Sequence, residues 1–139
     1  MTARCIQTIQ TVMVVDDEPR VCQLFQKVLG EDGYRVVTAT SGQGALALAA
    51  EACPDAILLD IVMPGLDGVA TLRELRKAGQ RAPVIMLTVQ GSLETAREAM
   101  ILGAYDYVTK PFNLDFLRSV LREGLADRRG ERRGRACAR

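Results

Sequence analysis

At four places along this chain, a short apolar segment ends in, or is followed by, a polar side chain that can take part in catalysis or ion binding. Asp16 and Asp17 follow "TVMVV", and Asp60 ends "AILLD". Thr88 closes "PVIMLT", and Lys110 comes shortly after "YDYV". A single acid after a strand is usually a helix cap or a turn former. Polar groups at the ends of four separate segments instead indicate one shared site.

The rest of the sequence supplies the elements that position these groups. Five short apolar runs alternate with five stretches of helical periodicity. The runs cover residues 11–15, 34–39, 56–60, 83–88 and 105–108, and helices begin near Pro19, Ser41, Val69, Leu93 and Asn113, the last reaching about Arg128. Five βα units predict right-handed parallel connections and a three-layer α/β sandwich.

The strand ends of such a sheet meet at one edge. With the strand order 2-1-3-4-5, the first and third strands flank the point where the order reverses, so the three aspartates converge there. Each pair of like charges ~4 Å apart costs roughly 4 kcal/mol at an effective dielectric near 20. The ammonium group of Lys110 balances one of these negative charges. A second cation is expected, and Mg²⁺ suits carboxylate and phosphate oxygens, with Mn²⁺ as a substitute.

Composition argues against several other kinds of site. The chain has 139 residues, enough for one domain with its own core. It has no histidine, and its four cysteines lack C-x-x-C spacing, which disfavours a zinc site or an imidazole base. There is neither a ~20-residue apolar run for a membrane span nor an apolar signal core at the start. These features predict a cytoplasmic protein that makes no membrane contact.

Charge is unevenly distributed along the chain. Six arginines and two acids make residues 127–139 basic, whereas residues 1–126 carry a net charge of −3. The domain itself is therefore not expected to bind nucleic acid directly. The arginine-rich end is expected to be a disordered tail or linker.

Several motifs resemble those of the receiver domains of bacterial two-component response regulators. They are "VVDDEP", "LLDIVMPGLDG", "MLT" and "YDYVTKPF", and the likeness covers about residues 10–126. It implies a flavodoxin-like (βα)5 sandwich with a parallel five-stranded sheet in the order 2-1-3-4-5. It also implies an N-terminal extension (1–10), a receiver domain that accepts the phosphoryl group (11–126) and the basic tail (127–139).

The resemblance assigns the nucleophile and the metal ligands. Asp60 is implied to be the phosphoacceptor, which becomes 4-aspartylphosphate. Asp17 is implied to ligate Mg²⁺ directly, with Asp16 helping directly or through water, and with Asp60 and the backbone carbonyl of Val62 as further ligands. No organic cofactor is implied.

The resemblance also assigns the groups that respond to the phosphate. Lys110 would pair with a phosphoryl oxygen, and Thr88 would hydrogen-bond the phosphoryl group once it is present. Tyr107 would be the aromatic ring that rotates with the state of the site, and Pro111 would follow a cis peptide bond. The face formed by the fourth helix, fifth strand and fifth helix would then change, which favours a phosphorylation-dependent homodimer through that face.

The predicted function is therefore a signalling switch and not a conventional enzyme. Its partner is a sensor histidine kinase or phosphotransfer protein, and its own catalysis is limited to phosphotransfer to aspartate and autodephosphorylation. The switch would control a partner, a dimer or an attached output domain. One alternative is an Mg²⁺-dependent phosphohydrolase with an aspartate nucleophile, although Val62 stands where such enzymes place a second aspartate. The other is a pseudo-receiver, an interaction module that is never phosphorylated.

Overall fold

Five strands alternate with five helices along the chain. The computed structural model describes residues 9–89 and 93–132, with side chains described as far as residue 127. The strands are β1 (Thr11–Val15), β2 (Arg35–Ala39), β3 (Ala56–Asp60), β4 (Val84–Val89) and β5 (Asp106–Lys110). The helices are α1 (Pro19–Glu31), α2 (Gly42–Ala52), α3 (Gly68–Lys77), α4 (Leu93–Ile101) and α5 (Leu114–Arg132).

The strands form one parallel sheet in the order β2-β1-β3-β4-β5. This confirms the predicted fold class and strand order. Because β1 and β3 are neighbours, the ends that carry Asp16 and Asp60 lie side by side at the carboxyl edge of the sheet.

The sheet separates two apolar clusters, which makes the molecule a three-layer sandwich. One cluster joins α2, α3 and α4 to strand residues such as Met13 and Val15, and the other joins α1 and α5 to Val12 and Val14. Neighbouring residues of a strand face opposite layers, so a strand in the middle of this sheet needs apolar residues at every position. Such burial explains the unbroken apolar composition of β3 and β4.

Local sequence signals set several helix ends. Pro19 occupies the first turn of α1, where a missing N–H is harmless. The Ser41 side chain accepts a hydrogen bond from the N–H of Gly44 (3.0 Å), and Asn113 accepts one from the N–H of Phe116 (3.0 Å). Gly103, with φ of 100°, follows the last turn of α4. The helix starts that the sequence predicts near Pro19, Ser41 and Asn113 are therefore confirmed.

Two elements extend beyond their predicted ends by two residues or more. β5 begins at Asp106 and includes Lys110, so the lysine is the last residue of the strand and does not lie beyond it. α5 continues to Arg132, past residue 127, where the tail was expected to begin. The remaining tail residues lie outside the part of the chain that is described. None of the described helices combines the length and apolar character needed to cross a bilayer.

Arg76, in the last turn of α3, joins three parts of the chain. Its guanidinium donates hydrogen bonds of 2.9 Å to the backbone carbonyls of Gln80, Ala82 and Gly103. The first two carbonyls belong to the α3–β4 connection, and the third follows α4. The C-terminal end of α4 is therefore held against α3 by a charged donor.

Candidate functional site

Asp16 lies directly after β1, and its side chain is fully buried. Its Oδ1 atom accepts a hydrogen bond from the backbone N–H of Glu18 (2.9 Å), and its Oδ2 atom accepts one from Nζ of Lys110 (3.0 Å). Lys110 comes from the end of β5, 94 residues away in sequence. The parallel sheet brings these two residues together because both lie at strand C-termini.

Asp60 ends the neighbouring strand β3 and is also buried. Its Oδ1 atom lies 3.4 Å from Nζ of Lys110, so one ammonium contacts two carboxylates. Asp17, which is exposed, completes a group of three acids. One carboxylate oxygen from each acid lies within 4.8 Å of one from each of the others. The predicted acidic cluster is therefore present, and Lys110 lies against it.

Burial and the neighbouring charges both shift the pKa values of groups in the site. Burial and the neighbouring charge of Asp16 raise the pKa of Asp60 from 3.8 to about 6, although Lys110 and the backbone N–H of Val62 stabilise its carboxylate. Burial acts to lower the pKa of Lys110, but the hydrogen bond to Asp16 and the charges of both acids outweigh it and raise that pKa. Lys110 is thus a fixed cation that only partly neutralises the cluster.

The two predicted switch residues lie on β4 and β5, the next two strands after β3 in the sheet. Thr88, in β4, is buried, and its hydroxyl donates to the backbone carbonyl of Val89 (3.2 Å). Tyr107, in β5, is partly buried and packs against the apolar cluster of α2, α3 and α4. The Lys110–Pro111 peptide bond is cis, as the resemblance implied.

Two valines border the site. Val62, which follows β3, is 61% exposed, and Val89, the last residue of β4, is 43% exposed. Val62 also reaches the site through its backbone, since its N–H hydrogen-bonds the carboxylate of Asp60. Exposed apolar residues therefore lie at or just after the ends of the two strands that carry Asp60 and Thr88.

Comparison with known proteins agrees with this geometry. Residues 12–122 match the family model of the response regulator receiver domain. The chain belongs to this family. Receiver domains of response regulators partner with histidine kinases or phosphotransfer proteins, and they are not conventional enzymes.

Individual relatives show the same likeness. The receiver domain is 40% identical over 117 residues to the regulatory protein AtoC of Escherichia coli K12, and 40% identical over 118 residues to the transcriptional regulatory protein ZraR of Salmonella typhimurium. These matches cover 84% and 85% of this chain but only 25% and 27% of those proteins. The chain thus spans about a quarter of the length of these curated relatives.

A solved receiver domain has the same fold. The receiver domain of NtrX from Brucella abortus superposes with a TM-score of 0.79 at 38% sequence identity. The match covers 83% of this chain and 98% of that one.

The receiver family generally binds Mg²⁺ at acidic residues, and the groups in this chain fit such an ion. Three carboxylates face one ammonium, so the cluster has more negative charge than Lys110 can balance. All candidate ligands are oxygen atoms, which a hard divalent cation prefers. Burial raises the pKa of Asp60 and the charge of Asp16 adds to this rise, so a cation bound here would favour the ionised carboxylate.

Sequence reasoning missed one residue that contacts the backbone of the site and one that anchors α4. Gly68, the first residue of α3, lies against the backbone of Asp60, and Arg76 holds the end of α4. Gly68 was visible only as part of an Asp-Gly turn, and Arg76 only as a helical basic residue. Neither signal indicates a long-range contact.

Proposed function

We propose that this receiver domain is a phosphorylation-dependent switch, and that Asp60 accepts the phosphoryl group from a sensor histidine kinase or phosphotransfer protein. One observation carries the proposal: Asp60 ends a buried strand in a group of three carboxylates, with Nζ of Lys110 3.4 Å from its Oδ1 atom. An aspartate so placed combines a nucleophilic oxygen with a cation for the incoming phosphate.

The transfer requires only a substitution at phosphorus. A carboxylate oxygen of Asp60 attacks the phosphorus atom of phosphohistidine, the new O–P bond forms an acyl phosphate, and the P–N bond breaks with its electron pair remaining on the imidazole nitrogen. Lys110 is proposed to pair with an oxygen of the transferred group. Mg²⁺, when bound, neutralises charge that develops on the phosphoryl oxygens.

Asp60 must lose its proton before it can attack. Because its pKa is raised to about 6, the carboxyl is partly protonated in weakly acidic solution. Lys110 favours the ionised form, and a bound divalent cation adds to that effect. The same positive charges thus prepare the nucleophile and stabilise the group that it receives.

We propose Asp17, Asp60 and the backbone carbonyl of Val62 as direct ligands of Mg²⁺, with Asp16 acting mainly through water. The hydrogen bonds of Asp16 support this division. Both of its carboxylate oxygens are already bonded, one to the N–H of Glu18 and the other to Lys110. Asp17 is exposed at the mouth of the cluster, where an ion can reach it.

We propose that phosphorylation first changes the hydrogen bond of Thr88 and, as a result, the position of the Tyr107 ring. The hydroxyl of Thr88 would exchange its bond to the carbonyl of Val89 for one to a phosphoryl oxygen, because a charged acceptor forms the stronger hydrogen bond. Thr88 pairs in register with Thr109 of β5, two residues from Tyr107. An inward shift of Thr88 at the end of β4 would change the space available to the ring of Tyr107, and so the surface of α4, β5 and α5.

This surface is proposed to form the phosphorylation-dependent homodimer. It carries Glu94, Arg97 and Glu98 on α4 and Arg122 on α5. Arg118, which the sequence also places on α5, donates instead to Asp32 beside α1 (2.8 Å), so that arginine is engaged within the domain. We further propose a cytoplasmic location and control of a partner or an attached output domain.

Intact-mass measurement after incubation with acetyl phosphate and Mg²⁺ tests the proposal. The wild-type chain should gain one phosphoryl group that hydroxylamine removes, and EDTA should prevent the gain. Asp60→Asn should gain none, whereas Asp67→Asn, a matched change at the N-cap of α3, should behave as wild type.

The same experiment, with hydrolysis of a phosphomonoester measured beside it, separates the alternatives. A phosphohydrolase would turn over a phosphomonoester without accumulating the labelled protein, and a pseudo-receiver would show neither reaction. A mass gain that persists in Asp60→Asn would disprove the assignment of the nucleophile.

A further inference from the structure

We infer that Gly68 is a positioning residue for the phosphoacceptor, because a side chain at this position would push the backbone that carries Asp60. The inference rests on the proposed function, in which Asp60 binds Mg²⁺ and receives the phosphoryl group. It concerns a residue that touches neither.

The space around Gly68 is occupied by backbone atoms. A Cβ atom built on Gly68 would lie 2.6 Å from Cα of Ile61 and 2.9 Å from the carbonyl carbon of Asp60, and it would come closer still to the carbonyl oxygen of Asp60. Real Cβ atoms essentially never approach other atoms within 3.0 Å. Since all three atoms belong to the main chain, no side-chain rotation can relieve the overlap.

The backbone conformation at position 68 does not by itself require glycine. Four other glycines adopt positive φ angles that favour the residue, and Gly68 is not among them. It begins a regular helix, where alanine is the better helix former. The close approach of α3 to β3 is therefore the feature that requires glycine at this position.

The contact leads directly to the nucleophile. The Gly68 N–H donates to the carbonyl of Ile61 (2.8 Å), which fixes the first turn of α3 against the end of β3. The peptide that Gly68 touches joins Asp60 to Ile61, and the next N–H, that of Val62, bonds the Asp60 carboxylate. Asp16 follows β1 and Lys110 ends β5, so neither would follow a displacement of this peptide. A side chain at position 68 would thus move Asp60 relative to the rest of its site.

Gly42 offers a matched control. A Cβ atom there would also lie 2.8 Å from a backbone oxygen, that of Leu66, and would overlap the hydroxyl of the buried Thr71. Those contacts hold α2 against α3 and include no atom of the acidic cluster. Gly42→Ala should therefore strain packing to a similar degree without moving Asp60.

The test compares wild type, Gly68→Ala and Gly42→Ala in three measurements: thermal melting without metal, Mg²⁺ affinity by calorimetry, and the rate of phosphorylation by acetyl phosphate at saturating Mg²⁺. Both variants should melt below wild type. Only Gly68→Ala should lose Mg²⁺ affinity, by about tenfold or more, as changes to groups that orient metal ligands typically do. Its phosphorylation rate should fall at least as far, because misplacement by about 1 Å can cost 10²-fold.

Other outcomes would overturn the inference. The inference fails if Gly68→Ala keeps its Mg²⁺ affinity and its phosphorylation rate within about twofold of wild type. It also fails if Gly42→Ala loses as much Mg²⁺ affinity and rate as Gly68→Ala does. Either result would show that Gly68 contributes only to packing. If Gly68→Ala is unfolded, the same comparison is made in trimethylamine N-oxide, which favours the folded state. A wild-type chain that binds Mg²⁺ but is never phosphorylated would contradict the proposed function, while the affinities would still decide the role of Gly68.

Discussion

Replacing Asp60 by asparagine should stabilise the metal-free protein at neutral pH. In the folded state the pKa of Asp60 is raised from 3.8 to about 6, chiefly by burial and by the charge of Asp16. The folded chain therefore binds this proton more tightly than the unfolded chain. The stabilisation that comes with the protonated carboxyl is fully present below pH 3.8 and is lost as the pH rises through about 6.

The size of the effect follows from the shift. The rise from 3.8 to about 6 corresponds to about 3 kcal/mol at 1.36 kcal/mol per pKa unit. Above pH 6 the ionised Asp60 should lower the free energy of unfolding by up to this amount. The asparagine side chain of the variant would have a similar shape and no charge, and Lys110 would keep its 3.0 Å contact with Asp16. The free energy of unfolding of Asp60→Asn should exceed that of wild type by up to about 3 kcal/mol at about pH 8 and by well under 1 kcal/mol at about pH 4.

Urea unfolding followed by circular dichroism in EDTA measures this difference across the pH range. Asp67→Asn is the control, because it removes one negative charge but keeps an efficient N-cap, so it should change the free energy of unfolding by only a few tenths of a kcal/mol. Mg²⁺ should stabilise wild type far more than Asp60→Asn, since a ligand stabilises the state that binds it. An Asp60→Asn variant that is no more stable than wild type at pH 8, or whose advantage is the same at every pH, would refute the reasoning.

Three further predictions concern the phosphorylated state. Lys110→Met should slow phosphorylation of Asp60 by about 10²-fold, because it removes the ammonium 3.4 Å from the carboxylate, and an unchanged time course by intact mass would contradict this. Val89, 43% exposed beside Thr88, should narrow the approach to the site. Val89→Ala should gain and lose the phosphoryl group faster than wild type. If neither its phosphorylation nor its dephosphorylation is faster, the prediction is wrong. Light scattering should show a doubled mass with beryllofluoride, a phosphoryl analogue; an unchanged mass argues against a dimer through α4, β5 and α5.

The arrangement of elements was predictable because it depends on local patterns. An unbroken apolar run such as Ala56–Leu59 can only be a buried strand or a piece of buried helix, and the Pro54 before it and the turns after it favour a strand. Ser41 and Asn113 were recognisable as caps since capping requires only the residue and the next turn of helix.

The residues that form the site were predictable for a related reason. Parallel strands end at a common edge, so a polar residue after each strand must share that edge with the others. The convergence of Asp16, Asp17, Asp60 and Lys110 followed from the strand order alone. The assigned roles of these residues in metal binding and phosphotransfer stay predictions that the experiments above address.

Only the tertiary structure decided how these groups pair. Asp16 is bonded at both oxygens, by a neighbour in sequence and by a lysine 94 residues away, and this separates its role from that of Asp17. Arg118 of α5 pairs with Asp32, which lies directly after α1, and this long-range contact leaves no local signal in the sequence. Gly68 looks like a turn residue in the sequence, and its contact with the backbone of Asp60 appears only when α3 packs on β3. Sequence periodicity determines which face a residue occupies, whereas distances between side chains depend on register, rotamer and the packing of neighbouring elements.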